Sequence, residues 1–206
     1  EQHELARRVV LEDRVRPNPR LIGGTDVSYL PKGGTVQQYA VAGIVIVRSG
    51  SWEVVEECHA VVPVQMPYVP GLLSYRELPA LLQAAGKLVH IPDVWLVDGA
   101  GIAHPRGLGL AAHFGVVRDE PSVGVAKKRL TGYYDDIATA KGSTAQLRDR
   151  QGKCIGSVVR SRTDVQPLFV SPGQYVDVER SVRLVLTCCT RYRLPEPTRL
   201  AHSYVT

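Results

Sequence analysis

Residues 93–109, DVWLVDGAGIAHPRGLG, are the stretch of sequence that decides the fold. The apolar run 93–97 is typical of a buried parallel strand, because helices cover such strands on both faces. The run ends at Asp98, and the Gly-rich sequence that follows predicts a loop. Open α/β sheets bind their ligands beyond the carboxyl ends of their strands. The stretch therefore predicts an α/β sheet with Asp98 in its functional site.

Toward the amino end, the chain holds three β-rich segments: 21–30, 39–47 and 52–62. Short turns at 31–34 and 48–51 join them, so antiparallel pairing is the simple expectation. Apolar residues at helical spacing predict a helix over 72–89, in which Pro79 should cause a kink or begin a second helical turn. A helix of mixed charge is expected over 1–17.

Toward the carboxyl end, a helix at about 106–115 and a strand at 122–125 continue the alternation. Further elements are a hairpin over 145–161, a strand at 167–173, a helix over 178–189 capped by Asp177, and a helix at about 196–204. We predict an α/β fold with a central mixed five-stranded sheet, in which three antiparallel strands precede parallel ones. Helices flank the sheet, one extra hairpin is added, and a single domain spans 1–206.

Composition and charge narrow the functional class. With 44% hydrophobic and 22% charged residues, the chain has the composition of an ordinary soluble protein. No apolar run approaches the roughly 18 residues that span a membrane, and the charged start lacks a signal core. The four cysteines form no CxxC pair, which favours reduced thiols in a cytoplasmic protein. A net charge of +5 permits an anionic partner but is equally explained by solvated surface charge.

Three carboxylates are candidates for metal chemistry. Asp26 interrupts a strand, where a buried carboxylate would be costly unless it were paired or bound to a cation; alternatively, it faces outward. Glu77 is either a ligand or a first-turn acid that interacts with the helix dipole. Asp98 is either a ligand or part of an Asp-Gly turn. Together they lie on the first strand, the first long helix and the fourth strand, as in ribonuclease H-like nucleases. Oxygen ligands of this kind select Mg²⁺ or Mn²⁺.

Six runs of sequence, distributed over about 21–202, resemble the endonuclease V family. They are TDVSY (25–29), PYVPGLLSYRE (67–77), DGAGIAHPRGLGLAAHFG (98–115), GVAKKRL (124–130), FVSPG (169–173) and PEPTRLAH (195–202). The resemblance implies a ribonuclease H-like fold. It also implies a Mg²⁺-dependent nick at the second phosphodiester bond 3′ to deoxyinosine, leaving a 3′-hydroxyl and a 5′-phosphate, with Mn²⁺ able to replace Mg²⁺.

The resemblance also assigns residues to roles. Asp26, Glu77 and Asp98 match catalytic metal ligands, and Lys127 and His202 fall on two further catalytic positions. The strand-separating wedge comprises Pro67, Tyr68, Val69 and Pro70. The inosine pocket comprises Gly71, Leu73, Gly99, Gly101, His104, Gly109 and Leu130. The backbone at 99–101 is expected to be exposed and to read the edge of hypoxanthine.

Plainer interpretations remain open for several of these residues. Tyr68 in a turn stiffened by prolines also suits packing on the surface. Lys127 belongs to a basic run that could merely neutralise phosphates. A lone histidine near a chain end, such as His202, is commonly a surface residue, and His104 is expected to contact a base or a phosphate.

Three other functions compete with a deoxyinosine nuclease. The nearest is an endoribonuclease specific for inosine, since the catalytic runs do not distinguish RNA from DNA. A nucleic-acid binding module without catalysis would gain nothing from three carboxylates near phosphate. A Holliday-junction nuclease of the same fold would not need the PYVPG and AHPRG runs. The expected partner is inosine-containing nucleic acid, bound by a monomer with no obligate protein partner and no membrane.

Overall fold

The computed structural model describes residues 1–31 and 38–206. Within these ranges the chain forms eight strands: β1 (Leu21–Pro31), β2 (Gln38–Arg48), β3 (Val54–Pro63), β4 (Val94–Val97), β5 (Ser122–Ala126), β6 (Thr144–Arg148), β7 (Cys154–Val159) and β8 (Leu168–Pro172). The helices in the same ranges are α1 (Gln2–Ala6), α2 (Leu73–Ala85), α3 (Leu110–Arg118), α4 (Val178–Cys188) and α5 (Glu196–Val205). Apart from Pro31, the turn predicted at 31–34 lies outside the described residues.

All eight strands belong to one sheet, in the order β3-β2-β1-β4-β5-β8-β7-β6. β1, β2 and β3 pair antiparallel, whereas β4 is parallel to β1 and β5 is parallel to β4. The predicted five-stranded mixed sheet is therefore confirmed as one contiguous part of the structure. The predicted hairpin, β6 and β7, extends the same sheet through β8, which is antiparallel to β5. A single domain over 1–206 stays a prediction.

Side chains on both faces of β4 are buried, which explains its unbroken apolar sequence. Trp95 and Val97 pack beneath α2 and α3, where the Trp95 and Phe114 rings meet edge-on at 5.2 Å. Val94 and Leu96 pack on the opposite face with residues of α4 and α5. Full burial of large side chains like these stabilises a fold by about 1.5–3 kcal/mol each. The best-covered strand therefore carries Asp98 at its end.

The helix expected over 1–17 is wrong beyond α1. The segment after α1 instead bonds to the chain between β8 and α4. Val10 N–H donates to Gln174 Oε1 at 2.8 Å, and Val10 O accepts from Tyr175 N–H at 2.7 Å. Arg14 N–H then donates to Tyr175 O at 3.0 Å. These long-range hydrogen bonds replace the helical ones that the local sequence favours.

Several predicted helix ends need correction. α2 ends at Ala85 rather than at residue 89, since the Glu56 carboxylate accepts hydrogen bonds from Val89 N–H and His90 N–H, both at 2.8 Å. α3 begins at Leu110 rather than near residue 106, because the Gly-rich loop continues to its start. The cap of α4 is confirmed, with the Asp177 side chain accepting from Arg180 N–H at 2.7 Å. Among the described helices, none is long and apolar enough to cross a membrane.

Candidate active site

The register of two neighbouring strands brings Asp26 and Asp98 together. β1 and β4 run parallel with Thr25 opposite Val97, so the next residue of each strand is a carboxylate. Asp98 N–H donates to Thr25 O at 3.3 Å, which holds the end of β4 against β1. Asp26 is only 6% exposed. The predicted juxtaposition of these two acids is therefore present.

Lys127 lies between the two carboxylates. It directly follows β5, the strand beside β4, and its Nζ is 2.5 Å from Asp98 Oδ2 and 3.8 Å from Asp26 Oδ1. Burial by itself would lower the pKa of Lys127, but Asp98 and Asp26 outweigh this and raise it. Lys127 is thus a fixed positive charge in the site. Arg193, which no motif predicted, holds this segment by donating to Lys127 O at 2.9 Å.

His202 reaches Asp26 from α5, which packs on the face of the sheet toward which Gly24, Asp26 and Ser28 point. Its Nδ1 is 2.9 Å from Asp26 Oδ2, although 176 residues separate the two in sequence. α5 can approach β1 closely because residue 24 is glycine, where a Cβ would stand 2.1 Å from the Pro197 carbonyl carbon. The His202 side chain remains 46% exposed. One ring nitrogen is therefore anchored on a carboxylate while the ring stays accessible to water.

Glu77 approaches the same carboxylates from α2 and is 7% exposed. Burial raises the pKa of Glu77 to about 7, and the charges of Asp98 and Asp26 add to the increase. Tyr29 opposes it by donating its hydroxyl to Glu77 Oε1 at 2.8 Å. Tyr29 ends the TDVSY run, but the sequence alone does not show that its side chain turns toward α2.

The cluster holds more negative than positive charge. Burial raises the pKa of Asp98 to about 7, Asp26 adds to the increase and Lys127 reduces it. Because both carboxyl pKa values are raised beside a single ammonium, added positive charge would favour the ionised forms of Glu77 and Asp98. A bound cation would supply that charge.

The donor set fits a hard divalent ion. Among the described residues, no group of three or more His, Cys, Asp or Glu side chains is placed so that it alone could hold a metal ion. Mg²⁺ rarely needs such a cage, because it is usually held by one or two carboxylates together with waters and substrate phosphates. Asp26 and Asp98 can provide those two carboxylates, and Glu77 stands beside them. Oxygen donors without a thiol favour Mg²⁺ or Mn²⁺ over softer metals.

The predicted wedge forms an exposed loop between β3 and α2. Its four residues, Pro67, Tyr68, Val69 and Pro70, are all exposed, and Tyr68 is 63% accessible. Two prolines stiffen this loop, and the Tyr68 ring near its tip is accessible to a partner. The geometry is therefore compatible with a wedge that enters a stack of bases.

Hydrogen bonds hold the carboxyl end of the wedge loop at Gly71. Gly71 has φ +81°, a conformation that favours glycine. Its carbonyl accepts from Gln2 Nε2 at 3.1 Å, His104 Nε2 at 3.1 Å and Arg106 Nη2 at 2.6 Å. His104 Nδ1 also accepts from Arg106 N–H at 3.1 Å, and burial lowers the pKa of His104. Both ring nitrogens of His104 are therefore occupied, contrary to the expectation of a base or phosphate contact.

Most of the predicted pocket residues surround one small cavity. The cavity measures about 60 Å³ and lies beside the wedge, the AHPRG loop and the start of α3. Its lining includes five predicted residues: Gly71, Leu73, His104, Gly109 and Leu130. Tyr68 and Leu130 border it with exposed side chains, so it opens at the surface.

The backbone at 99–101 is not exposed as predicted. Gly101 N–H donates to Ser171 Oγ at 2.8 Å, and Gly101 O accepts from Gly109 N–H at 2.9 Å. Ala100 O accepts from Ala111 N–H at 2.9 Å. Ala100 lines the cavity, but Gly99 and Gly101 do not. Gly101 allows the loop to pack against β8, since a Cβ there would stand 2.1 Å from Pro172 O. Sequence reasoning missed this function, along with the role of Ser171.

Comparisons with known proteins agree with this geometry. The family model described as Endonuclease V matches residues 3–203. The endonuclease V of Azotobacter vinelandii is 48% identical over 200 residues, covering 97% of this chain and 88% of that protein. The structure of endonuclease V from Bacillus subtilis is 32% identical with a TM-score of 0.93, covering 99% of this chain and 87% of that one.

A third similar structure contains bound DNA. Ciona intestinalis endonuclease V, solved in complex with a DNA that contains an inosine followed by a ribo-adenosine, is 26% identical with a TM-score of 0.82. The match covers 98% of this chain and 91% of that one. These likenesses confirm the predicted ribonuclease H-like fold class. The chain therefore belongs to the endonuclease V family of nucleases, which hydrolyse phosphodiester bonds.

Proposed function

We propose that this chain nicks DNA at the second phosphodiester bond 3′ to deoxyinosine by Mg²⁺-dependent hydrolysis, leaving a 3′-hydroxyl and a 5′-phosphate. One observation carries the proposal. Asp26 and Asp98 stand side by side with Lys127 2.5 Å from Asp98, close to an exposed wedge loop. The inosine-containing DNA bound by the Ciona relative supports the choice of substrate.

In this mechanism Asp26 and Asp98 would hold the metal ion, with Glu77 as a third acid beside it. When bound, Mg²⁺ would polarise a phosphoryl oxygen and activate water for attack. Lys127 brings an ammonium group to the place where charge develops on the phosphate. His202, anchored through Nδ1 on Asp26, offers its other ring nitrogen to the attacking water as an orienting group or base.

Recognition is assigned to the wedge and the small cavity. Tyr68 would fill the gap left by a base that leaves the stack, a step that costs a few kcal/mol. The extruded hypoxanthine would enter beside Leu73 and Leu130, with backbone groups at Gly71 or Gly109 reading its edge. Leu73→Arg should abolish inosine cleavage, and unchanged cleavage would contradict this placement of the pocket.

The chain supplies every group in this scheme, so we also propose that it acts as a monomer. Asp26, Glu77, Asp98, Lys127 and His202 all lie within one cluster of hydrogen bonds and charges. No second copy is needed to complete the site.

A second candidate is cleavage of inosine-containing RNA by the same groups. The DNA in the Ciona complex carries a ribo-adenosine directly after its inosine. A relative thus accommodates a 2′-hydroxyl close to the base that it recognises, and this group is what distinguishes RNA from DNA.

One experiment compares these functions. End-labelled single-stranded DNA, duplex DNA and RNA, each with one inosine, are incubated with the protein in Mg²⁺ or in EDTA. The proposal predicts cutting of the DNA strands in Mg²⁺ only, and loss of cutting in Asp98→Ala. Faster cutting of RNA than of DNA would favour the second candidate. Cutting in EDTA, or full activity of Asp98→Ala, would contradict the metal mechanism.

A further inference from the structure

A large groove, separate from the acid cluster, adjoins the small cavity. It measures about 760 Å³ and lies between the amino-terminal segment, the AHPRG loop and the turn 149–153 that joins β6 to β7. We call it the hairpin groove and define it by Val9, Ile102, Leu130, Arg150, Lys153 and Ile155. The groove and the small cavity share His104 and Leu130 as lining residues. A strand whose base sits in the cavity would therefore lead directly into the groove.

The groove combines apolar side chains in its wall with cations at its rim. Val9, Ile102 and Ile155 contribute apolar side chains, of which Ile155 is buried. Arg150 and Lys153 are exposed at the rim, and within 1–31 and 38–206 neither side chain has an ion-pair partner. Apolar walls with cations above them suit a nucleobase whose phosphate faces the rim.

Of the described residues that line the groove, Asp149 is the one acid, so the two cations leave the rim with a net positive charge. Asp149 Oδ1 accepts from Gln151 N–H at 2.9 Å and from Lys153 N–H at 3.0 Å, so its carboxylate closes the hairpin turn. The same hydrogen bonds fix the backbone that presents Arg150 and Lys153. The cationic rim is thus built on an ordered turn.

We propose that the hairpin groove is a subsite for a nucleotide next to the inosine on the same strand. Its base packs against the apolar walls, and its phosphates contact Arg150 and Lys153. The inference rests on the proposed function, because the inosine defines where the strand enters. Volume supports it, since ligand sites for small molecules of this size typically measure about 300–1,000 Å³.

The test measures equilibrium binding in EDTA, where no cutting is expected. Three labelled single-stranded DNAs carry one inosine: a full-length strand, one that ends directly 5′ of the inosine, and one that ends directly 3′ of it. The variant Arg150→Ala/Lys153→Ala should bind the full-length strand about tenfold more weakly, with a salt dependence reduced by about one to two phosphate contacts. One of the two truncated strands lacks the nucleotide that occupies the groove. The variant and the wild type should bind that strand equally.

The matched control removes two other exposed cations, Arg48→Ala/Arg183→Ala, which lie on β2 and α4 and outside the groove. It should bind each strand like the wild type, and all three proteins should unfold at similar temperatures. Unchanged affinity of the groove variant would overturn the proposal. An equal loss for all three strands would also overturn it, because the cations would then act only through overall charge.

If the proposed function is wrong, the binding measurements give a different result. In that case the wild type binds an inosine strand and a matched adenine strand equally. The groove is judged separately, by whether truncation on one side removes the difference between the variant and the wild type.

Discussion

The acid cluster (Asp26, Glu77, Asp98 and Lys127) and the wedge loop (67–71) lie side by side but are built in opposite ways. Regular strands and a helix carry the acid cluster, whose carboxylates are mostly buried. The wedge loop is exposed from 67 to 70 and is tied down at the Gly71 carbonyl. Chemistry needs fixed charges in a low-dielectric site, whereas recognition needs a surface that meets nucleic acid. Substitutions in the first region should therefore lower turnover, and those in the second should weaken binding.

The largest effect is expected for Asp26→Asn. The amide keeps the shape of the side chain but removes the charge that anchors His202 and would hold the metal ion. We expect kcat on an inosine strand to fall by about three orders of magnitude, with little change in KM. Single-turnover cutting measures the loss. Asp135→Asn, at a carboxylate that is 90% exposed, is the matched control and should remain fully active. More than a tenth of wild-type kcat in Asp26→Asn would contradict the assignment.

Lys127→Ala should follow, with kcat reduced about 100-fold at saturating substrate, because the site loses its fixed positive charge. Lys128→Ala is the adjacent control, since Lys128 is exposed and makes no ion pair with a described residue. It should change only salt-sensitive binding. If Lys127→Ala instead weakened binding in a salt-dependent way and left kcat intact, Lys127 would be a phosphate contact rather than a catalytic group.

Tyr68→Ala tests the wedge loop. Loss of the exposed ring should weaken binding of duplex DNA that contains inosine by about tenfold, because nothing then replaces the extruded base in the stack. Single-turnover kcat should stay close to that of the wild type. Tyr68→Phe keeps the ring and should bind normally. Titrations of labelled duplex measure the effect, and a kcat defect without a binding defect would remove the distinction between the two regions.

The smallest expected effect is a change in the free energy of unfolding with pH. Asp98 and Glu77 have pKa values raised to about 7 in the folded protein, above those of unfolded chains. Such groups contribute stability that is complete below about pH 4 and is lost as the pH rises through about 7. Without a metal ion, the free energy of unfolding should thus be lower at pH 8 than at pH 5 by about 1–2 kcal/mol.

Urea unfolding at the two pH values measures this difference. Mg²⁺ should restore stability at pH 8, because it binds the ionised carboxylates of the folded state. Asp98→Asn removes one raised pKa and should flatten the pH dependence. Equal slopes for the variant and the wild type would show that Asp98 does not contribute to the pH dependence.

Local sequence predicted the features that depend on neighbouring residues. The apolar run before Asp98 identified a strand buried on both faces, and Asp177 marked the start of α4. The order of the acids along the chain also predicted that Asp26 and Asp98 lie close together. These features follow from periodicity, capping and the order of the elements, which a sequence displays directly.

Contacts between distant segments could not be predicted in this way. The first helix stops early because Val10 bonds to the chain near 174. Arg193 holds the backbone of Lys127 across 66 residues, and Ser171 occupies the amide of Gly101 across 70. Gly101 looked like a backbone that would face a ligand, but it serves the packing of a loop against β8. Composition and spacing carry no signal for such pairings.

The central claim is that the acid cluster performs the chemistry while the wedge loop and its cavity choose the substrate. Asp98→Asn tests it most directly, with binding and cutting measured on matched inosine and adenine strands in Mg²⁺. We predict that the variant stops cutting but still binds the inosine strand more tightly than the adenine strand, as the wild type does. Loss of that preference together with cutting, or cutting that continues at the wild-type rate, would contradict the claim.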